Sequence, residues 1–409
     1  MKKYRIYAFL LALTMLALCT CSCRKIGESK VPEESTEVKV EINEPETEAE
    51  TEAEPEVDTD ADGIINIVMV GDVLIHERVR DSGKMADGTL NYDHLFANLY
   101  DEISGADISI VNQEVILGGK ELGLTGYPSF NGAHEMGDAL VKAGFDVVLH
   151  ATNHALDKGK NGLLSCLSFW DTKYPDINVV GISNSAERSR EICVIEDEGI
   201  KVAILNYTYG MNGIALPSDM PWCVNMLTKD NETNIREDIK RAQSMADYVI
   251  VAPHWGTEYI HTTDASQQYW KNVFFECGVD LVLGTHPHVV EGVDTVSDGN
   301  HSMLVYYSIG NYVNSTASNG AGVADRMLGA MADITLEKTE SGVVIKDYGV
   351  LPIVSHVDTT APGMLTVYRL DEYTEALAAK NEIIKQDSSF SVEYMVKICR
   401  EVFGELYEG

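Results

Sequence analysis

Residues 64–72 read IINIVMVGD, and the rest of the fold is read outward from this stretch. A short run rich in β-branched apolar residues that stops at Gly71-Asp72 predicts a strand buried on both faces, followed by its exit loop. Runs of the same style recur at Asp107–Val111, Asp146–His150, Lys201–Tyr207, Asp247–Ala252, Val279–Leu283 and Met303–Ser308. Between several of them, apolar residues return at helical spacing: Tyr92–Ile103, Ala133–Ala143, Lys160–Trp170, Ile235–Ala246 and Ser266–Cys277. Buried strands alternating with helices predict an α/β domain with mainly parallel central strands. The end of the chain departs from that rhythm. Ala330–Leu336 and Gly342–Pro352 predict a hairpin, and Glu372–Gln386 and Val392–Tyr407 predict closing helices.

Composition divides the 409 residues into four parts. Lys2, Lys3 and Arg5 precede an apolar run from Ile6 to Leu18, too short to span a bilayer but suited to a signal segment over residues 1–23. Cys21 and Cys23 follow at the end of that run, where a lipid-modified cysteine is expected; the residues do not choose between them, and an uncleaved anchor is the alternative. Residues 24–62, which include TEAETEAEPE, lack the apolar area to offset chain ordering and predict a disordered acidic linker. A folded domain over 63–358 and a helical extension packed on it over 359–409 complete the division. The leader places the domain outside the cytoplasmic membrane, tethered to its outer face. The formal charge of −33, of which −25 falls on residues 63–409, argues against a nucleic-acid partner. It also disfavours polyanionic substrates unless bound metal neutralises the site locally. Cys166, Cys193, Cys223, Cys277 and Cys399 form no CxxC pair and read as small buried residues.

The chemistry lies at the strand ends. Asp72 and His76 follow the first strand; Asn112 and Glu114 follow the second; His150, Asn153, His154 and Asp157 follow the third. His254 and Glu258 follow a later strand, and His286 and His288 the next, in GTHPH. Ligands of open α/β sheets gather outside the carboxyl ends of the strands. Imidazole, carboxylate and amide oxygen delivered there from distant segments suit Zn, Mn or Fe. Any one of these residues alone is more often an ordinary hydrogen-bonded side chain; their convergence carries the prediction of a metal site. Two ions at such a site can present a hydroxide for in-line attack on a phosphate or carbonyl.

The series GDVLIH, NQE, ATNHALDKGKNGL, HWGTEY with Gln267 downstream, GTHPHVVEGVD and YYSIGNYV resembles bacterial capsule synthesis proteins of the CapA type, associated with poly-gamma-glutamate, over about residues 65–355. That family is in turn similar to the calcineurin-like metallophosphoesterases. The resemblance implies a four-layer α/β/β/α sandwich with a site for two divalent ions. It assigns Asp72, Glu114, Asn153, His254, His286 and His288 as metal ligands, with His154 as general acid and Asp157 beside it. Two departures stand out: Leu74 occupies the superfamily's usual histidine position after Asp72, and Asn112-Gln113-Glu114 replaces a GD motif. His76, Asn131, Glu258 and Asn311 are expected on the substrate side, Glu258 also as a carboxylate that orients a histidine. Trp255 and Tyr259 are open between lining the cleft and packing, and Asn314–Gly322 reads as a mobile lid. The expected role is a metal-dependent hydrolase acting on a capsule polymer. The alternative is a non-catalytic assembly or anchoring factor that binds the anionic polymer or its synthase.

Overall fold

The run Ile64–Val73 forms the first strand, β1, in a computed structural model that describes residues 62–360 and 365–407. The leader, Cys21, Cys23 and all but the last residue of the acidic linker lie outside the described residues. From β1 the chain lays down β2 (Ile108–Asn112), β3 (Val147–Leu149) and β4 (Asn178–Val180), each parallel to the strand before it. It then starts a second sheet. β5 (Cys193–Asp197) and β6 (Ile200–Thr208) form a hairpin, followed by β7 (Tyr248–His254), β8 (Leu281–Leu283), β9 (Val293–Ser297) and β10 (Ser302–Tyr306). The strands β6, β7, β8 and β10 are parallel in that order, with antiparallel β5 and β9 on the two edges. The chain finally returns to the first sheet. β11 (Asn311–Val313) pairs with the end of β1, and β12 (Leu328–Thr339), β13 (Gly342–His356) and β14 (Thr366–Arg369) extend it antiparallel on that side.

Burial on both faces of the strands shows why the sandwich has four layers. Ile65, Ile67 and Met69 of β1 and Ile110 of β2 pack with Ile204, Ile250 and Leu283 of the second sheet, forming a core between the sheets. The opposite face of the first sheet, with Val68, Val70 and Val111, meets Leu140 and Met136 of the helix His134–Ala143 and Leu163 of the helix Gly159–Lys173. The opposite face of the second sheet meets Ile235 and Ile239 of Glu232–Gln243 and Trp270 and Phe274 of Ala265–Glu276. The result is the α/β/β/α sandwich that the resemblance implies.

Two expected helices are broken. Tyr92–Ile103 folds as two 3₁₀ turns and a short helix, Tyr100–Ser104. Glu372–Gln386 breaks because the buried Asn381 serves the backbone elsewhere. Its Oδ1 accepts from the Val357 and Ile383 N–H groups, and its Nδ2 donates to Ser355 O at 3.0 Å. Side-chain bonds of this kind compete directly with the helical ladder. Val392–Phe403 is helical, capped by Ser391 and packed against the first sheet through Met395 and Cys399.

Candidate metal centre

One close contact sets the first ligand. A side chain on Gly71 would place its Cβ 1.9 Å from Gly310 O, so only glycine lets β1 and the SIGNY turn approach. The Asp72 N–H then donates to Gly310 O at 3.0 Å, and the carboxylate is carried, fully buried, to the strand end. Its Oδ1 accepts from Asn112 Nδ2 at 2.7 Å, and its Oδ2 accepts from the His286 N–H at 3.2 Å.

Three histidines close around it. His254 ends β7, wholly buried, with Nδ1 3.0 Å from Thr285 Oγ1 and Nε2 3.0 Å from Asn153 Oδ1. Donation of an Nδ1 proton to Thr285 Oγ1 would free Nε2 for a metal, the usual device for fixing a metal-binding tautomer; a proton on Nε2 instead is donated to Asn153 Oδ1. His288 is held likewise, with Nδ1 3.0 Å from Asn311 Oδ1 and 3.2 Å from Asp72 Oδ2. The His254 and His286 rings lie 4.8 Å apart between centroids, and those of His286 and His288 5.8 Å apart. His286 and His288 take φ values of +100° and +58°, left-handed conformations that non-glycine residues seldom adopt. Such strain on either side of Pro287 persists only where the surroundings enforce it, and it is common at functional sites.

Glu114 fills the centre. Its Oε1 lies 3.8 Å from His254 Nε2, 3.6 Å from His288 Nε2 and 3.9 Å from His154 Nε2. The side chain is fully buried, yet neither carboxylate oxygen has a hydrogen-bond partner; Asn112 Oδ1 and His286 Nδ1 are unpartnered too. An unpaired buried carboxylate is too costly to keep without a cation or a proton. Burial, against the pull of His288, and repulsion from Asp72, Glu258 and Asp157 push the Glu114 carboxyl well above its ordinary range. Burial lowers His288, but Glu114 and Asp72 outweigh it and raise the imidazole to about 9. The Glu114–His288 pair therefore retains a proton that a divalent cation would displace. Three overlapping donor groups fit such an ion: Glu114 with His254 and His286, Asp72 with Glu114 and His288, and Glu258 with His286 and His288. The donor chemistry thus matches a divalent metal.

The remaining candidates sort by geometry. His154 keeps its Nε2 toward Glu114 while Nδ1 lies 2.7 Å from Asp157 Oδ2, a histidine oriented by a carboxylate. Asp157 Oδ2 also accepts from the Phe130 N–H at 2.7 Å, and the Phe130 and His154 rings stand edge to face with their centroids 4.8 Å apart. His76 joins them through Phe130, at 5.2 Å; burial, then His288, His154 and Arg326, lower its ring to about 4. Glu258 is exposed beside His286 and His288. Asn131 is a correction. It does not face the pocket but pins its own loop, accepting from Gly118 N and donating to Gly119 O and Gly123 O. Asn311 is another, since its amide is consumed by His288 and by the Arg326 carbonyl. His150 turns into the helical layer, where Nε2 accepts from Trp170 Nε1 at 3.2 Å. Trp255 packs, donating to Tyr307 O, whereas Tyr259 stands exposed at the site. The first part of the expected lid is fixed: Asn314–Thr316 is buried, and Gln386 Nε2 holds Thr316 O and Ser318 O.

Residues with no motif signal also border the site. Tyr209 lies 4.5 Å from the His286 ring, Asn212 Oδ1 accepts from Asn153 Nδ2 at 3.3 Å, and Arg326 covers Tyr259. Gln267, whose position downstream of HWGTEY marks the motif, forms a capping box with Asp264 and reaches Glu291 Oε2 at 2.5 Å.

A four-layer sandwich whose strand ends gather histidines, carboxylates and an amide defines an α/β/β/α protein with a donor cluster suited to a divalent metal. Residues 66–316 match the family model described as "Bacterial capsule synthesis protein PGA_cap", and the chain belongs to that family. It is 26% identical over 258 residues to "Capsule biosynthesis protein CapA" of Bacillus anthracis, covering 61% of this chain and 59% of that protein. It is 29% identical over 219 residues to "PGA biosynthesis protein CapA" of Bacillus subtilis (strain 168), covering 53% of each. The matched region is thus less than two thirds of either relative. Among solved structures, the calcineurin-like phosphoesterase YfkN of Bacillus subtilis aligns with a TM-score of 0.40 at 13% identity, covering 81% of this chain and 98% of that one.

Proposed function

We propose that this capsule-synthesis family member is a metal-dependent hydrolase, held on the outer face of the cytoplasmic membrane by its N-terminal segment, that processes poly-gamma-glutamate or a related capsule polymer. The observation that carries the reading is Glu114: a fully buried carboxylate with both oxygens unpartnered among Asp72, His254 and His288. Asp72, Glu114, Asn153, His254, His286 and His288 would hold one or two divalent ions of the Mn, Zn or Fe type. Bound there, the metal would supply Lewis acidity and a nucleophilic water at neutral pH.

The chain's own residues supply the rest. Asp157 accepts the Nδ1 proton of His154 and orients the ring, so that a second proton taken up to form the imidazolium would sit on Nε2, from which it passes to the leaving group and leaves the neutral ring behind. Asn311 and Thr285 fix His288 and His254 from behind. Phe130 closes one wall against His154 and keeps bulk water from it.

The test uses the full chain, freed of metal and reloaded, assayed on a simple phosphodiester and on poly-gamma-glutamate. Metal-dependent turnover that disappears in His154→Ala, with metal content unchanged, supports the enzyme. A second reading, a non-catalytic assembly or anchoring factor, draws support from the departure at Leu74. That reading stands if neither substrate turns over while His154→Ala binds polymer as wild type does.

A further inference from the structure

Three exposed tyrosines surround the mouth of the site, each against a different histidine. The Tyr127 ring lies 6.3 Å from His76, Tyr209 4.5 Å from His286, and Tyr259 5.9 Å from His288. Arg326 lies on Tyr259, its guanidinium carbon 3.6 Å from the ring centroid. Its Nη1 donates to Ser318 Oγ at 3.3 Å, and its Nε has no partner. No carboxylate neutralises it among the described residues. The neighbouring Asp325 is taken instead by His261 and Tyr394. Asn311 donates to the Arg326 carbonyl at 2.9 Å, so the amide that orients His288 also sets the arginine's place. The positive charge reaches inward far enough to act on His76, alongside burial, His288 and His154.

An unneutralised guanidinium is out of keeping with a domain that carries a large excess of acid. Held over a ring, it has lost much of the conformational freedom an arginine otherwise gives up on binding, and the Nη N–H groups that Ser318 does not use match a carboxylate or phosphate fork. We infer that Arg326, held on Tyr259, is a specificity-determining receptor for a second acidic group of the substrate, beside the group that enters the histidine cluster. The inference rests on the proposed polymer-processing site and names what that site selects: a chain with anionic groups on successive units. A neutral chain would leave Arg326 desolvated and unpaired, and would be rejected for that reason.

The test is equilibrium binding to the metal-loaded full chain, with metal content measured on every variant. The probes are a γ-linked glutamate oligomer, tripolyphosphate and inorganic phosphate. Arg326→Gln should weaken the oligomer or tripolyphosphate by roughly 10- to 100-fold, the loss expected for a charge-assisted hydrogen-bond pair, while inorganic phosphate holds its affinity. Whichever polyanion loses more names the acidic group. Arg326→Lys should recover only part of the loss, because the ammonium lacks the fork. Equal binding of both polyanions by wild type and Arg326→Gln at equal metal content overturns the inference. So does an equal loss for inorganic phosphate, which would place Arg326 at the reacting group itself. Phosphodiester turnover by the wild-type chain is followed separately, so failure of the hydrolase reading is visible apart from either outcome.

Discussion

Replacing Glu114 with Gln separates the cost of a buried carboxylate from its use. Glu114 belongs to two of the three donor groups that can hold an ion, and both of its oxygens are unpartnered. Without metal, Gln is isosteric and carries no charge into a fully buried position, so Glu114→Gln should melt at the wild-type temperature or above it. With metal the order reverses. Ligand linkage gives wild type about 2.7 kcal/mol of added stability when free metal is 100 times its Kd. Loss of a residue that merely orients a ligand weakens metal binding by about 10- to 100-fold, so loss of the shared carboxylate should weaken it by about 100-fold or more. At the same free metal, the variant then sits near its own Kd and gains only about 0.4 kcal/mol. For a domain of this size those gains correspond to melting shifts of about 4 °C and about 0.6 °C. Differential scanning fluorimetry of both proteins, with chelator and across a manganese titration, reads the difference. A Glu114→Gln protein that keeps the full wild-type shift at the same metal concentration would refute the reasoning.

Three further outcomes follow from particular contacts. His154→Ala should lower metal-dependent turnover by about 10²- to 10⁴-fold, and Asp157→Asn by less, because Asp157 only orients the ring; steady-state kinetics with metal analysis checks both. Burial pushes Asp280 up to about 6 although its carboxylate accepts from Val249 N, so its folded pKa lies above the unfolded one. Its contribution is therefore neutral below about pH 4, grows destabilising as pH rises from about 4 to 6, and levels off above 6 at about 3 kcal/mol. Asp280→Asn should flatten that part of the stability profile, and an unchanged urea profile from pH 4 to 7 would count against the assignment. Asn131→Ala removes a buried amide that serves Gly118, Gly119 and Gly123, and should cost about 2–4 kcal/mol in urea unfolding while leaving metal content intact.

The parallel strands were legible because their signal is local, and the clustering of histidines and carboxylates because so many of them fall just after those strands. A run such as IINIVMV can only be a buried strand or a buried helix, and Gly71-Asp72 ends it too early for a helix. The division into two sheets was legible only through the family resemblance and not from the strands themselves, because a parallel strand buried on both faces reads the same in either sheet. Edge strands β4, β9 and β14 span three to five residues each and carry no period long enough to detect. The β5–β6 hairpin carries a turn signal of its own. Glu198-Gly199 adopts φ of +46° and +70°, the two-residue turn in which glycine is favoured. At the site, the residues that fooled the sequence reading are those whose side chains other groups claim. His150 follows its strand as His154 does, but β3 continues through its N–H bond to Val180 O and aims the ring at Trp170. Asn131 and Asn311 are polar and near the cleft, yet backbone groups and His288 use their amides. Arg326 and Tyr209 belong to no motif, and only the folded chain brings them to the histidine cluster.

Anomalous X-ray scattering from crystals of the manganese-loaded protein tests the central claim most directly. The account predicts a peak within about 2.0–2.3 Å of side-chain atoms of Asp72, Glu114, His254 and His286. It is contradicted if a fully loaded crystal shows no peak there while His254 Nε2 stays bonded to Asn153 and Glu114 stays alone.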